Sequence, residues 1–145
     1  MSRLTPGARA AIGDLNARFA WALDLHEFDM LREIFTPDVH YVSVGREFHD
    51  VEALIASFHA RTGTRTTRHG LGNLLLQDDA GNTVTGRGSW HTFASNDDGP
   101  APLADFDVYM VADFDDTYVV DADGTWRIAA RRITPVFRRA DLAPR

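Results

Sequence analysis

Hydrophobic positions recur first at helical spacing and then, over the second half of the chain, at every second residue. After Thr5-Pro6, the residues Ile12, Leu15, Phe19 and Leu23 share one face, with Thr as N-cap and Pro at the first helical position. Residues 6–24 therefore predict a long amphipathic helix. Gly13, Ala17 and Ala20 form a stripe of small residues beside that face, and Asp24 continues it one turn on. Such a stripe lets another element pack close or leaves room for a ligand. A second short helix is expected with Phe28, Leu31, Ile34 and Phe35 on one face, ended by Pro37. Residues 39–44 read as a strand. Asp50 then caps a third helix that turns Val51, Leu54, Ile55 and Phe58 inward, with Gly63 as its stop.

The remainder alternates. Residues 67–77 lead through the turn DDAGN into 83–95, and a loop, NDDGPAP, precedes 105–120. An Asp-Gly hairpin signal in DADG joins that strand to the closing arm TWRIAARRI. The order is ααβαβββ, with the last hairpin arm completing the sheet. Helices segregated from a long antiparallel sheet define an α+β fold. Gly70, Gly72, Gly86 and Gly88 lie inside strands, where glycine permits sharp curvature. A barrel-like curved sheet wrapped on the first helix leaves a cone-shaped cavity. No linker or repeat divides the chain, so residues 1–145 are expected to form one domain.

Composition removes several classes of chemistry. There is no Cys, hence no disulfide, thiolate nucleophile or Cys-based metal site. All 15 cationic residues are Arg, which excludes a lysine Schiff base. The net charge of -6, with no basic cluster, argues against nucleic acid as a partner. No stretch has the length of a membrane span and the first residues lack a signal-peptide run, so a cytoplasmic protein is expected. No histidine pair shows helical HxxxH spacing or a carboxylate companion, and His26, His40, His49 and His59 read as surface or element-end residues. Neither a metal nor a cofactor is expected.

IGDLNARFAWALDLHEFDMLREIFTPDVHY resembles the opening of SnoaL-like domains in the nuclear transport factor 2-like superfamily. TRHGLGNLLLQ with TVTGRGSW resembles their central hairpin, and DGTWRIAARRI their closing strand. The superfamily hosts cyclases, dehydratases, isomerases, dehydrohalogenases and catalytically silent binding modules. Two motifs are similar to scytalone dehydratase and hexachlorocyclohexane dehydrochlorinase: Asp24 at the end of the first helix and His69 at the start of the hairpin. The dehydrochlorinase resemblance adds an Arg in the last strand, which Arg131 fits. The chain departs from the dehydratase pattern at Leu23, where that family has a Tyr, and near Ala94, where it has a second His.

In this reading His69 is a base and Asp24 fixes its tautomer and balances the developing imidazolium. Arg131 would stabilise an enolate or departing anion. Strict alternation from Trp126 and Ile128 carries Arg132 inward, whereas a bulge near Ala129-Ala130 turns Arg131 in; the resemblance favours Arg131. Phe19, Leu23, Leu54, Phe58, Leu71 and Phe106 are expected to line an enclosed, largely apolar pocket. The function expected is cofactor-free acid–base chemistry of cyclase, isomerase, dehydratase or lyase type on a hydrophobic cyclic or polyketide-like molecule. The alternative is a non-catalytic binding or dimerisation module, in which Asp24 and His69 are a structural pair. The small subunit of an aromatic-ring dioxygenase is set aside because such subunits are usually longer. Trp90, Phe93, Phe106, Tyr109 and Phe114 are read as open aromatic sheet surface, from which a homodimer, or a trimer, is expected.

Overall fold

In a computed structural model that describes residues 4–79 and 83–145, helix α1 runs Pro6–Asp24, and Thr5 caps it by accepting the Ala8 N–H at 3.0 Å. Ile12, Leu15, Phe19 and Ala22 are buried along its inner face. A single 3-10 turn, Phe28–Met30, leads into the short helix α2, Leu31–Ile34. The expected second helix thus stops one residue earlier, because Phe35 already begins strand β1, Phe35–Ser43. Strand β2, Arg46–Phe48, was not read from the sequence. It returns from β1 through Val44-Gly45, whose φ angles of 48° and 76° belong to the mirror-image turns that match strand twist. Asp50 then caps α3, Val51–His59, its Oδ1 accepting the Ala53 N–H at 2.7 Å.

Four long strands follow: β3 Thr66–Asp78, β4 Thr83–Ser95, β5 Asp107–Val120 and β6 Trp126–Arg138, with a last 3-10 turn at Ala140–Leu142. The expected DDAGN turn between β3 and β4 spans residues 78–82, of which 80–82 lie outside the described residues. The DADG hairpin is closed by the Asp121 N–H on the Thr125 carbonyl at 3.1 Å, with Gly124 at φ 89°. The sheet is six-stranded, in the order β2-β1-β6-β5-β4-β3. β1 runs parallel to β6 and the remaining neighbours are antiparallel. The fold is the α+β architecture expected, with the curved sheet mixed and unclosed.

Irregular pairings set which side chains point inward. Thr117 faces Ala130 while Tyr118 faces Ile128, so Ala129 is an extra residue on β6 and the alternation changes phase there. Arg131 is therefore buried and Arg132 exposed. A second register shift lies between Gly72 and Leu75, where Asn73 has φ 53°. It turns Leu76 into the core and leaves Leu75 at the surface.

Inside, Phe19 stands edge-on to Phe35 and Trp90 with centroids 5.8 Å away, and to Phe114 at 6.4 Å. Burying each such ring contributes about 1.5–3 kcal/mol. Trp90, Tyr109 and Phe114 thus belong to the interior rather than to an open sheet surface, because the sheet curls around them; Phe93 and Phe106 stay exposed. Among the described residues, no helix is long and apolar enough to cross a membrane.

Candidate functional site

Helix α1 ends with Asp24 against the start of β3, and this contact forms the centre of the site. Asp24 Oδ1 accepts from His69 Nδ1 at 2.5 Å and from the Thr67 hydroxyl at 2.8 Å. Its Oδ2 takes the His69 backbone N–H at 3.0 Å. Burial works to raise the Asp24 carboxyl, but the His69 hydrogen bond, the His69 charge when present, and the Thr67 bond hold it below its ordinary value. With Nδ1–H committed to the carboxylate, Nε2 is the ring nitrogen free to act as a base, and it has no hydrogen bond to any described residue.

His69 lines a cavity of about 630 Å³. Phe19 and Leu23 of α1 and Leu54 and Phe58 of α3 line it too, as the apolar faces of both helices require. Leu71 does not. It borders a separate hollow of about 320 Å³, together with Asp24, His69 and the small-residue stripe Gly13, Ala17 and Ala20. The stripe leaves space here rather than close packing, and exposed Trp21 stands at the same hollow. Phe106 lines neither cavity and is exposed, because β5 begins only at Asp107. The cavity is also less apolar than expected: Arg46, Arg61, Arg65 and Arg138 lie on its wall, drawn from four separate parts of the chain. Val44, at a positive φ rare for a β-branched residue, forms part of the lip.

Arg131 is not brought together with Asp24 and His69. It pairs at two points with Asp116, Nε–Oδ1 at 2.8 Å and Nη2–Oδ2 at 2.9 Å, and also donates to Asn16 Oδ1 at 2.5 Å. Asn16 donates to the Tyr118 hydroxyl at 3.0 Å, and Tyr118 donates to Asp116 at 2.7 Å, closing a buried ring of polar groups across α1, β5 and β6. The guanidinium carbon sits 4.5 Å from the Phe19 centroid and 5.0 Å from that of Phe114. These rings stand between the charge and the cavity they line. Burial opposes the Arg131 charge, but Asp116 more than offsets it and raises the pKa. Burial pushes the Tyr118 phenol up as well.

One cluster escaped the sequence reading. The β1–β2 turn gathers His40, Glu47 and His49, whose ligand-type atoms lie within 4.8 Å of one another, with His40 Nε2 2.6 Å from Glu47 Oε1. The carboxylate companion that the sequence did not reveal is supplied by the unforeseen strand β2.

Three helices packed on a curved, unclosed sheet, with a cavity between them, define an α+β domain of the nuclear transport factor 2-like kind. The chain belongs to the SnoaL-like domain family, whose profile matches residues 7–132. Among curated proteins nothing matches it. Among solved structures it is similar to a Catenulispora acidiphila protein in complex with S-DNPA. That likeness has 24% identity, covers 90% of this chain and 95% of the other, and gives a TM-score of 0.75. It is also similar to ActVI-ORFA from Streptomyces coelicolor, at 18% identity, 90% and 98% coverage, and a TM-score of 0.74. A third likeness is to the beta subunit of a putative aromatic-ring-hydroxylating dioxygenase from Novosphingobium aromaticivorans, at 18% identity and a TM-score of 0.76. Each chain is covered over 92% of its length, so length does not set that kind of subunit apart. At these identities the likenesses speak to fold.

Proposed function

We propose that the chain is a cofactor-free acid–base enzyme of cyclase, isomerase, dehydratase or lyase type, acting on a hydrophobic cyclic or polyketide-like molecule. The observation that carries this reading is the His69 imidazole on the cavity wall, with Nδ1 held by buried Asp24 and Nε2 unpaired. Nε2 takes a proton from a carbon beside a carbonyl; the C–H electrons move to the carbonyl oxygen as an enolate, and the imidazolium is balanced by Asp24. The proton then returns at another atom, or a leaving group departs. Arg131 enters as a fixed charge behind the aromatic wall, positioning Asn16, Tyr118 and the Phe19 ring without touching substrate. A panel of cyclic enolisable or hydroxylated compounds, assayed for turnover by wild type and His69→Ala, tests the proposal. Activity lost with the imidazole supports it, and equal activity in both overturns it.

Self-association of two copies belongs to the same reading. Phe93 and Phe106 lie 6.4 Å apart and stay exposed, as does Phe137. Light scattering that returned only the 16.1 kDa monomer would remove this part of the proposal.

A further inference from the structure

Several arginines of the outer surface are paired with carboxylates, whereas four on the cavity wall form no such pair among the described residues. Arg18, Arg32, Arg87 and Arg139 each pair with a carboxylate on the outer surface. Arg46, Arg61, Arg65 and Arg138 form no ion pair among the described residues, and no Asp or Glu is among the described residues lining the cavity. Aromatic faces hold the four guanidinium groups instead. Arg61 lies 4.5 Å from the Phe58 centroid, Arg46 5.0 Å from Phe48, and Arg65 and Arg138 4.9 and 5.9 Å from the same ring, Tyr109. Stacking of this kind fixes the plane of an arginine fork and leaves its edge free for an acceptor.

Three of these charges, Arg46, Arg61 and Arg65, also feel one another. Packing against the cavity wall desolvates the Arg61 guanidinium and lowers its pKa although the residue keeps exposed surface, and the neighbouring Arg46 charge lowers it further. Burial pushes Arg65 down to about 10, with the Arg61 charge as the next contribution. Arg65 Nη1 donates to Asn96 Oδ1 at 3.0 Å and to the Leu142 carbonyl at 2.5 Å, while its buried Nε has no acceptor. A buried donor without a partner and neighbouring like charges are both costly, and an anion on the cavity wall relieves the second. This cationic wall occurs in a chain of net charge -6, whose overall field turns anions away.

We infer that the ligand of this cavity is an apolar ring molecule bearing an oxyanion, a carboxylate in the first instance. Its anionic group is held by Arg61, Arg65 and Arg138, and its rings lie against Phe19, Leu54 and Phe58 toward His69. The inference rests on the proposed enzyme reading for the end of the ligand that reacts, but not for the end that binds. Arg61 and Arg138 are exposed at the rim, so replacing them spares the core.

The test is a fluorescence titration of the intact chain with two dyes that share their rings, anilinonaphthalene sulfonate and the neutral phenylnaphthylamine. At low salt the sulfonate should bind at least about tenfold more tightly, and the gap should shrink as salt rises. Arg61→Gln with Arg138→Gln should bring the sulfonate to the affinity of the neutral dye and leave the neutral dye unchanged. Arg68→Gln, away from this cavity, should change neither. Naphthoate and naphthyl phosphate then compete against the sulfonate, and stronger competition by naphthoate identifies the carboxylate as the anion. Equal binding of the two dyes, no binding of the sulfonate, or a preference that survives the double replacement overturns the inference. His69→Ala should retain the anion preference. A preference retained without any turnover would therefore sink the enzyme reading alone, and turnover without the preference would sink only the anion site.

Discussion

Arg131 and Asp116 form a two-point ion pair wholly inside the protein, and Asn16 and Tyr118 add hydrogen bonds around it, leaving Arg131 Nη1 without an acceptor among the described residues. Removing one member of such a pair leaves a buried charge without compensation, which costs about 3–5 kcal/mol. Arg131→Ala and Asp116→Ala are each expected to lower stability by about that amount in urea unfolding. Arg131→Lys should fall short as well, since an ammonium cannot reproduce the planar fork. Losses below about 1 kcal/mol would show that the ring of polar groups does not hold α1 to the sheet.

Two strand glycines separate a rigid neighbour from a movable one. A Cβ on Gly86 would come 2.8 Å from Tyr118 and 3.0 Å from Leu76, both buried, and Tyr118 is tied to Asn16 and Asp116. Gly86→Ala is expected to cost about 1–3 kcal/mol. On Gly70 the three atoms nearest the Cβ would all belong to the ring of His91, an exposed residue that can swing aside. Gly70→Ala should leave the melting temperature close to wild type, and a larger drop there than at Gly86 would contradict this packing.

Acid stability should carry the signature of Asp24. Its folded pKa lies below the ordinary carboxylate value of 3.8. Its ionisation therefore adds stability that is complete above the unfolded value and is lost as pH falls through the folded one. Asp24→Asn should be less stable than wild type at pH 6, and the difference should close as pH falls below about 4. A gap that stays constant down to pH 2 would mean that the charge on Asp24 contributes nothing.

Much of this was legible because it is local. Thr5-Pro6 and Asp50 announce their helices, and both caps are made as read; the phase of Ile12, Leu15 and Phe19 states which face of α1 is buried. Asp24 and His69 were found through resemblance, since nothing within either segment says that residues 45 apart share a hydrogen bond. The bulge at Ala129 was only one of two options, because alternation cannot announce its own interruption. For the same reason alternation from His69 carries Leu75 to the inner face, whereas the register shift at Asn73, with its positive φ, puts Leu76 there instead. The arginine wall left no local pattern, because its members come from β2, the residues after α3, the approach to β3 and the end of β6. Its one signal was that every cation in the chain is Arg.

The central claim, that Asp24 and His69 act as one proton-transferring unit, is tested most directly by following exchange of ring α-protons into deuterated water. Wild type, His69→Ala, Asp24→Asn and the double variant are compared on a panel of cyclic ketones, with melting temperatures measured alongside. His69→Ala should lose a factor of about 100 to 10,000 in exchange rate. Asp24→Asn should approach that loss by freeing the imidazole tautomer, and the double variant should lose little more than the worse single one. Exchange by wild type no faster than in buffer, or single variants that keep the wild-type rate while melting at lower temperature, would contradict the claim and assign the pair to holding α1 on β3.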